Sequence, residues 1–388
     1  MQPEETTVLD VPQVDLAGKP AQPFRSGPPP GYNARRLYAS SSYFEAELDQ
    51  LGERCWQFVG TVRELARSNH WVRTRVFGAD VFVQNFKGEL RGFSNVCQHR
   101  GFPIRREAEG RGPAICGFHA WTYNDEGIPI GVSRNDEIFA LTRDEKLKLC
   151  LPRVRVEEVG GFVFAATGDA APPLEIYLGR YATLLRTIGA RMGQRRFRAT
   201  NQTRANWKLA YEVTLDEYHV PYVHPESFRA EPIPVWGCVY ERDGLHSQLL
   251  RRRTADWSFA SFWDDAARGD YEFAGYKIHH LFPNLLIAVS RGLMVVTSYV
   301  PTAVDRTTVE DWLFEITGDS FDDAWWTATA EGQQVISAED RHISEAQQDV
   351  AGEISRPPLF GALEERVAWF HEAYEHAIGM YARQRVQV

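Results

Sequence analysis

Four residues with metal-binding side chains fall within 23 positions, as the pairs Cys97-Gln98-His99 and Cys116-Gly117-Phe118-His119, with 16 residues between them. Each short spacing lets one loop present a thiolate and an imidazole together. Pro103, Gly110, Gly112 and Pro113 in between favour a turn that brings the second loop beside the first. Two cysteines and two histidines can hold one two-iron cluster. Thiolates stabilise ferric iron, whereas neutral imidazoles on the second iron add no negative charge and raise the reduction potential. The same ligand set also suits tetrahedral zinc. Zinc-finger spacing, however, groups cysteines with cysteines, and here each loop mixes the two types, which favours the cluster. Cys55, Cys150 and Cys238 have no such company and read as small buried apolar residues.

A second constellation lies in the stretch from Asn206 to Pro225, which contains Asp216, His219 and His224. Asp216 and His219 are three apart, so on a helix they share a face. On a continued helix His224 would point away from His219, but Pro221 and Pro225 favour an interruption, and a turn can return its imidazole to the same metal. Two histidines with one carboxylate on a single face of iron leave open positions for dioxygen. The carboxylate of such a set must come from elsewhere in the chain.

These residues need elements to position them. Phe44, Leu48, Leu51 and Cys55 recur at helical spacing, and Trp56-Gln57-Phe58-Val59-Gly60 switches to a strand-like run. Residues 56–167 alternate short β-rich segments with turn signals, so the cysteine–histidine pairs sit in a small all-β domain. Beyond 173 the pattern predicts helices around 175–192 and 204–219, strands near 232–300, and helices near 320–350 and 360–385. The last carries an apolar stripe of Leu363, Val367, Phe370, Tyr374 and Ile378. The fold class is therefore α+β, with an antiparallel sheet flanked by helices in the larger domain. The expected division is an extended arm over 1–39, the all-β domain with its lead-in helix over 40–172, and the larger domain over 173–388.

A net charge of −9 opposes a general affinity for nucleic acid or an anionic membrane. No run of about 18 apolar residues occurs and the first 35 residues carry no signal-peptide pattern, so a cytoplasmic protein is expected. Five cysteines argue against a disulfide framework. No glycine-rich nucleotide fingerprint stands between a strand and a helix, so flavin and NAD are expected on a separate protein.

The segments Cys97-Gln98-His99-Arg100-Gly101 and Cys116-Gly117-Phe118-His119-Ala120-Trp121 resemble the cluster motif of the Rieske-type ring-hydroxylating oxygenases, and residues 206–225 resemble the catalytic-domain motif of the same family. The resemblance implies a [2Fe–2S] cluster with Cys97 and Cys116 on one iron and His99 and His119 on the other. It implies a mononuclear Fe(II) on His219 and His224, with Asp216 bridging His219 to a cluster histidine of a neighbouring subunit. The third iron ligand in the family is an acid in a C-terminal helix, and the Glu339–Gln348 segment resembles it, with Asp340 as the ligand and Glu339 the nearest substitute. The family often has an Asn close before the bridging acid, where this chain has Val213.

On this resemblance the chain is the oxygenase component of a multicomponent system, a homotrimer served by a separate flavin reductase with or without a ferredoxin. With dioxygen it would hydroxylate, demethylate or N-oxidise a small organic molecule. An aromatic or heteroaromatic substrate is expected, with an amine or quaternary ammonium compound as the alternative. A Rieske electron carrier without oxygenase activity is the rival of another class, and it leaves Asp216, His219 and His224 without a purpose. Phe228, Trp236, Phe262, Trp263, Tyr271, Phe273 and Phe282 can line an arene pocket, although sheet core is the better reading of them. His279 and His280 are adjacent on a strand, so at most one would face inward.

Overall fold

The computed structural model describes residues 25–224, 227, 238–251, 258–273 and 275–379. The two constellations hang on two separate antiparallel sheets. The first has seven strands in the order Gln57–Thr61, Phe162–Ala166, Arg153–Val159, Glu89–Ser94, Ala79–Phe86, His70–Val76 and Glu109–Arg111. Beside it a three-stranded sheet of Ala114–Ile115, Thr122–Tyr123 and Pro129–Gly131 supports the second cysteine loop. Phe82, Phe93, Ile104, Trp121 and Leu151 form a small apolar core beneath both loops, distinct from the main core of the chain.

The second sheet also has seven strands, ordered Met192–Thr203, Arg306–Ile316, Leu293–Ala303, Leu285–Ser290, Lys277–Leu281, His246–Arg251 and Cys238–Asp243. From Cys238 onward the strands follow one another as neighbours, and Met192–Thr203 closes the far edge against Arg306–Ile316. The sheets meet where Phe58 packs edge-on against Trp312, with ring centroids 5.4 Å apart. Glu109 joins Arg195 and Arg198 across the same boundary at 2.7 and 2.8 Å. The helix Asp323–Val350, 28 residues long, lies against the second sheet. Its Gln348 accepts the Asn206 N–H at 2.8 Å and donates to the Tyr38 carbonyl at 3.0 Å, which pins the C-terminal end. Leu363, Val367, Phe370, Tyr374 and Ile378 are all buried, along the helix Glu365–Ile378 and just before it. Among the described residues no helix is long and apolar enough to cross a membrane.

Three parts differ from the sequence reading. Residues 1–24 of the expected arm lie outside the described residues, but Arg25–Ser26 pairs with Phe360–Gly361 and Ala34–Ala39 forms a helix. Ala34, Leu37 and Tyr38 are buried there, an i, i+3, i+4 stripe too short to stand out from sequence. The strand Met192–Thr203 was not expected, since its three arginines and polar residues mask any apolar alternation. The helix Phe259–Arg268 interrupts the region read as strands, started by a Ser258–Ser261 capping box and ended by Gly269 at φ 80°.

A buried ion pair ties the lead-in helix to the second domain. Lys208 and Glu47 are both fully buried, with Nζ 2.8 and 2.6 Å from the two carboxylate oxygens. Trp207 Nε1 and the Tyr374 hydroxyl also donate to Glu47, at 2.6 and 2.5 Å. Burial pulls the Lys208 ammonium down from its usual pKa, and Glu47 opposes that shift. Removing one partner leaves the other charge buried without compensation, a loss of about 3–5 kcal/mol. Lys208→Met is therefore expected to lower Tm sharply, and a second change, Glu47→Leu, to recover part of it. A Lys208→Met protein with the parent Tm in differential scanning calorimetry would show that the pair contributes nothing.

Candidate metal centres

The two cysteine loops share one backbone plan. In each, the cysteine N–H donates to the carbonyl five residues on, Cys97 to Phe102 at 3.0 Å and Cys116 to Trp121 at 2.8 Å. The residue four beyond each cysteine donates back to it, from Gly101 and Ala120, both at positive φ. The thiols point inward and are buried, whereas His99 and His119 are half-exposed. The two imidazoles meet at 4.7 Å between centroids, and His99 stacks on Trp121 at 4.9 Å and 6°. Burial, with His119 and Arg100 nearby, lowers the His99 pKa and favours the neutral imidazole that binds metal. Burial likewise raises the Cys116 thiol. Tyr123 places its hydroxyl 3.2 Å from Cys97 Sγ.

Thiol lies beside thiol and ring beside ring. Donors paired by type in this way fit a cluster with a metal atom at each end.

The other constellation is built by breaking a helix. Asn206 caps the helix Trp207–Glu212, which tightens into a 3-10 turn over Val213–Leu215 and stops. Asp216 Oδ1 accepts the Tyr218 N–H at 2.5 Å, a local side-chain turn that competes with helical bonding. Asp216 and His219 therefore do not share a helix face, as their spacing had predicted. The chain restarts as one helical turn, Val220–Val223, with Pro221 near its start and His219 and His224 as its two caps. That single turn brings the histidines together.

His219 Nε2 and His224 Nε2 are 3.2 Å apart, and Asp340 Oδ1 lies 2.9 Å from His224 Nε2 and 3.5 Å from His219 Nε2. Ligand atoms at about 2.1 Å from an ion are roughly 3.0–3.4 Å from one another in octahedral or tetrahedral arrangements. These three donor atoms fit such an ion. Without an ion, the carboxylates beside the pair hold a proton on it, and that negative charge is what a bound cation would meet instead. Burial lowers the His219 pKa, but Asp216 and Asp340 outweigh it and carry it up to about 10. Burial raises the Asp340 carboxyl, and His219 and His224 outweigh it so that the net shift is downward.

The surrounding groups are asymmetric. Glu339 Oε2 accepts from His224 Nδ1 at 2.7 Å and is hydrogen-bonded by the Ser227 hydroxyl. Glu339 thus meets the opposite side of the ring from Asp340. Asp216 Oδ2 stands 3.6 Å from His219 Nδ1, beyond hydrogen-bond length but close enough to act by charge.

Beside these residues lies a cavity of about 270 Å³ between the second sheet and the Asp323–Val350 helix. Its walls are mainly apolar, including Val213, Ile278, Leu286 and Val295, and Asp216, His219, His224 and Asp340 also line it. Phe262, Trp263, Tyr271 and Phe282 are core residues that do not face it, and Phe228 and Trp236 lie outside the described residues. His279 and His280 are both buried away from it, hydrogen-bonded to Tyr271 with Gln248 and to Thr214 with Arg366. One lining residue was missed in the sequence. Asp311 shares one face of the Arg306–Ile316 strand with the buried Val309 and Leu313, and a carboxylate on that inward face was the available signal.

Comparisons with known proteins match this architecture. The ring hydroxylating alpha subunit (catalytic domain) family matches residues 190–379, and the Rieske [2Fe-2S] domain family matches residues 55–142. The carnitine monooxygenase oxygenase subunit of Acinetobacter pittii (strain PHEA-2) is 28% identical over 248 residues, 62% of this chain and 64% of that protein. Its Escherichia coli (strain K12) counterpart is 26% identical over 320 residues, 81% of this chain and 82% of that one. The anthranilate 1,2-dioxygenase large subunit of Acinetobacter baylyi (strain ATCC 33305 / BD413 / ADP1) is 29% identical over 199 residues, 49% of this chain and 42% of that one. Among solved structures, a quaternary ammonium Rieske monooxygenase in complex with L-carnitine superposes with a TM-score of 0.73 at 20% identity, covering 91% of this chain and 100% of the other. Naphthalene 1,2-dioxygenase from Rhodococcus sp. bound to indole gives 0.71 at 16% identity, covering 90% and 94%. Both share the fold.

Proposed function

From a chain that belongs to the Rieske oxygenases, with a Rieske domain followed by a ring-hydroxylating alpha-subunit catalytic domain, we propose the oxygenase component of a multicomponent system acting on a small organic molecule. The observation that carries this is the convergence of His219, His224 and Asp340 to within 2.9–3.5 Å at the wall of an apolar cavity. In this reading Cys97, Cys116, His99 and His119 hold the [2Fe–2S] cluster, and His219, His224 and Asp340 hold a mononuclear Fe(II). When bound, these groups supply one-electron transfer and the activation of dioxygen.

The residues of the chain do the rest by position. Glu339 holds the His224 ring through Nδ1 and fixes which nitrogen faces the metal. The apolar walls keep water from the substrate, and Asp216 places negative charge beside the outer nitrogen of His219. Asp216 is also the proposed bridge to a cluster histidine of a neighbouring copy, in a cytoplasmic homotrimer supplied by a separate flavin reductase, with or without a ferredoxin. Inter-subunit electron transfer is described for a quaternary ammonium Rieske monooxygenase of the same fold.

Iron and acid-labile sulfide per chain test the proposal directly. Three irons and two sulfides in a red-brown protein that forms product with a surrogate reductase are expected. Two irons that cannot be raised to three by added Fe(II) would remove the mononuclear site, and zinc without sulfide would overturn the cluster.

Glu339→Gln is expected to weaken Fe(II) binding about 10–100-fold, the usual effect of losing the carboxylate behind a ligating histidine. Cluster absorbance should not change, because the cluster loops rest on a separate small core. An Fe(II) titration of the variant that matches the parent would leave Glu339 without this role.

A further inference from the structure

Asp311 is a buried carboxylate in the wall of the cavity that the proposed reaction does not use. Its Oδ1 accepts from the Thr297 hydroxyl at 2.8 Å and its Oδ2 from the Ser337 hydroxyl at 3.1 Å, with the Gln333 amide also close. All three donors are neutral. No Lys, Arg or His nitrogen among the described residues lies within 4.0 Å of the carboxylate, and Arg341, which also reaches the cavity, makes no such contact. A carboxylate offers about four lone-pair sites, so three donors leave it able to accept one more.

A structural acceptor at this place does not need a charge. Asparagine would accept from Thr297 through its one oxygen and donate its amide N–H to the Ser337 hydroxyl, which can turn to accept, without bringing a carboxylate out of water, which is costly when no cation compensates it. Burial raises the Asp311 pKa, and the hydrogen bonds from Thr297, Ser337 and Gln333 only partly offset this. A cation in the cavity would supply the missing compensation. Ser337 stands three residues before Asp340 on the same helix, so the acid and the metal ligands face one chamber.

Resting on the oxygenase reading, we propose that Asp311 is a specificity-determining residue that binds the N–H of a protonated amine, making the substrate a small, largely apolar ammonium compound. The cavity volume of about 270 Å³ has room for such a molecule. An apolar cavity of about 150 Å³ already holds benzene. The apolar walls take the carbon skeleton, and the charge-assisted hydrogen bond at Asp311 fixes which end faces the metal ligands.

The test is calorimetric titration of the iron-loaded protein with benzylammonium and with its neutral isostere, benzyl alcohol. The parent is expected to bind the ammonium at least about 10-fold more tightly, the scale of a hydrogen bond to a charged group. In Asp311→Asn the two ligands should bind alike. Thr297→Val, which removes a donor and keeps the charge, should retain the preference and covers the case in which Asp311→Asn fails to fold. Equal binding of the two ligands by the parent, no saturable ammonium binding, or a preference that persists in Asp311→Asn would overturn the proposal. Iron and sulfide counted on the same preparations separate the two levels, since a missing third iron refutes the oxygenase reading while the ammonium preference is read independently.

Discussion

Replacing His224 by alanine is expected to lower the iron content from three per chain to two, leave both sulfides and the cluster spectrum intact, and abolish product formation. His224 has the strongest connections of the three proposed ligands. It is buried, its Nε2 is 2.9 Å from Asp340, and its Nδ1 is 2.7 Å from Glu339. Losing only the carboxylate behind such a ring weakens metal binding about 10–100-fold, and losing the ring itself removes a ligand outright. The cluster should survive because its loops, hydrogen bonds and small core are formed by residues 82–151. Metal analysis together with a visible spectrum checks both halves. A variant that retains three irons would exclude His224 from the site, and one that also loses the cluster would show that the two centres fold as one.

The second large effect is expected at Asp216. Asp216→Asn should keep three irons and two sulfides yet nearly abolish product formation, because it removes charge without removing shape. Asparagine retains the Oδ1 that accepts the Tyr218 N–H, so the turn delivering His219 is preserved. The negative charge 3.6 Å from His219 Nδ1 is lost, and with it the proposed bridge to the neighbouring subunit. Single-turnover kinetics locate the defect. Reduction of the cluster should proceed at the parent rate, while the electron should stay there instead of reaching product. Normal turnover in this variant would remove the bridging role.

The sequence and the structure agree best where chemistry fixes residue type. The thiol and imidazole pairs stand out because few other functions call for that mixture at that spacing, and His219 and His224 gain meaning from their presence upstream. Spacing alone could not decide the backbone between Asp216 and His219, where a side-chain turn displaces the helix their separation suggests. Nor could spacing assign tasks to Glu339 and Asp340. Adjacent residues on a helix diverge by about 100°, and only packing shows that one meets Nδ1 of His224 and the other Nε2. The edge strand Met192–Thr203 was hidden by its own arginines, which are spent on Glu64, Glu109, Glu310 and Glu315. The cavity beside the histidines was the least legible part, because aromatic residues that look suited to it pack in the core instead.

The Asp323–Val350 helix sets a rule for how this protein can change. Gln333, Ile336, Ser337, Asp340, Arg341 and Ser344 all face the chamber, and Gln348 locks the far end. Inserting one residue within that span would turn everything beyond it by about 100° and advance it by about 1.5 Å. Asp340 would then leave the histidines, or Gln348 would leave Asn206 and Tyr38. Side-chain exchanges along the helix are therefore expected to reshape the chamber with the metal ligands in place, whereas a one-residue insertion within it is expected to separate the two ends from their partners.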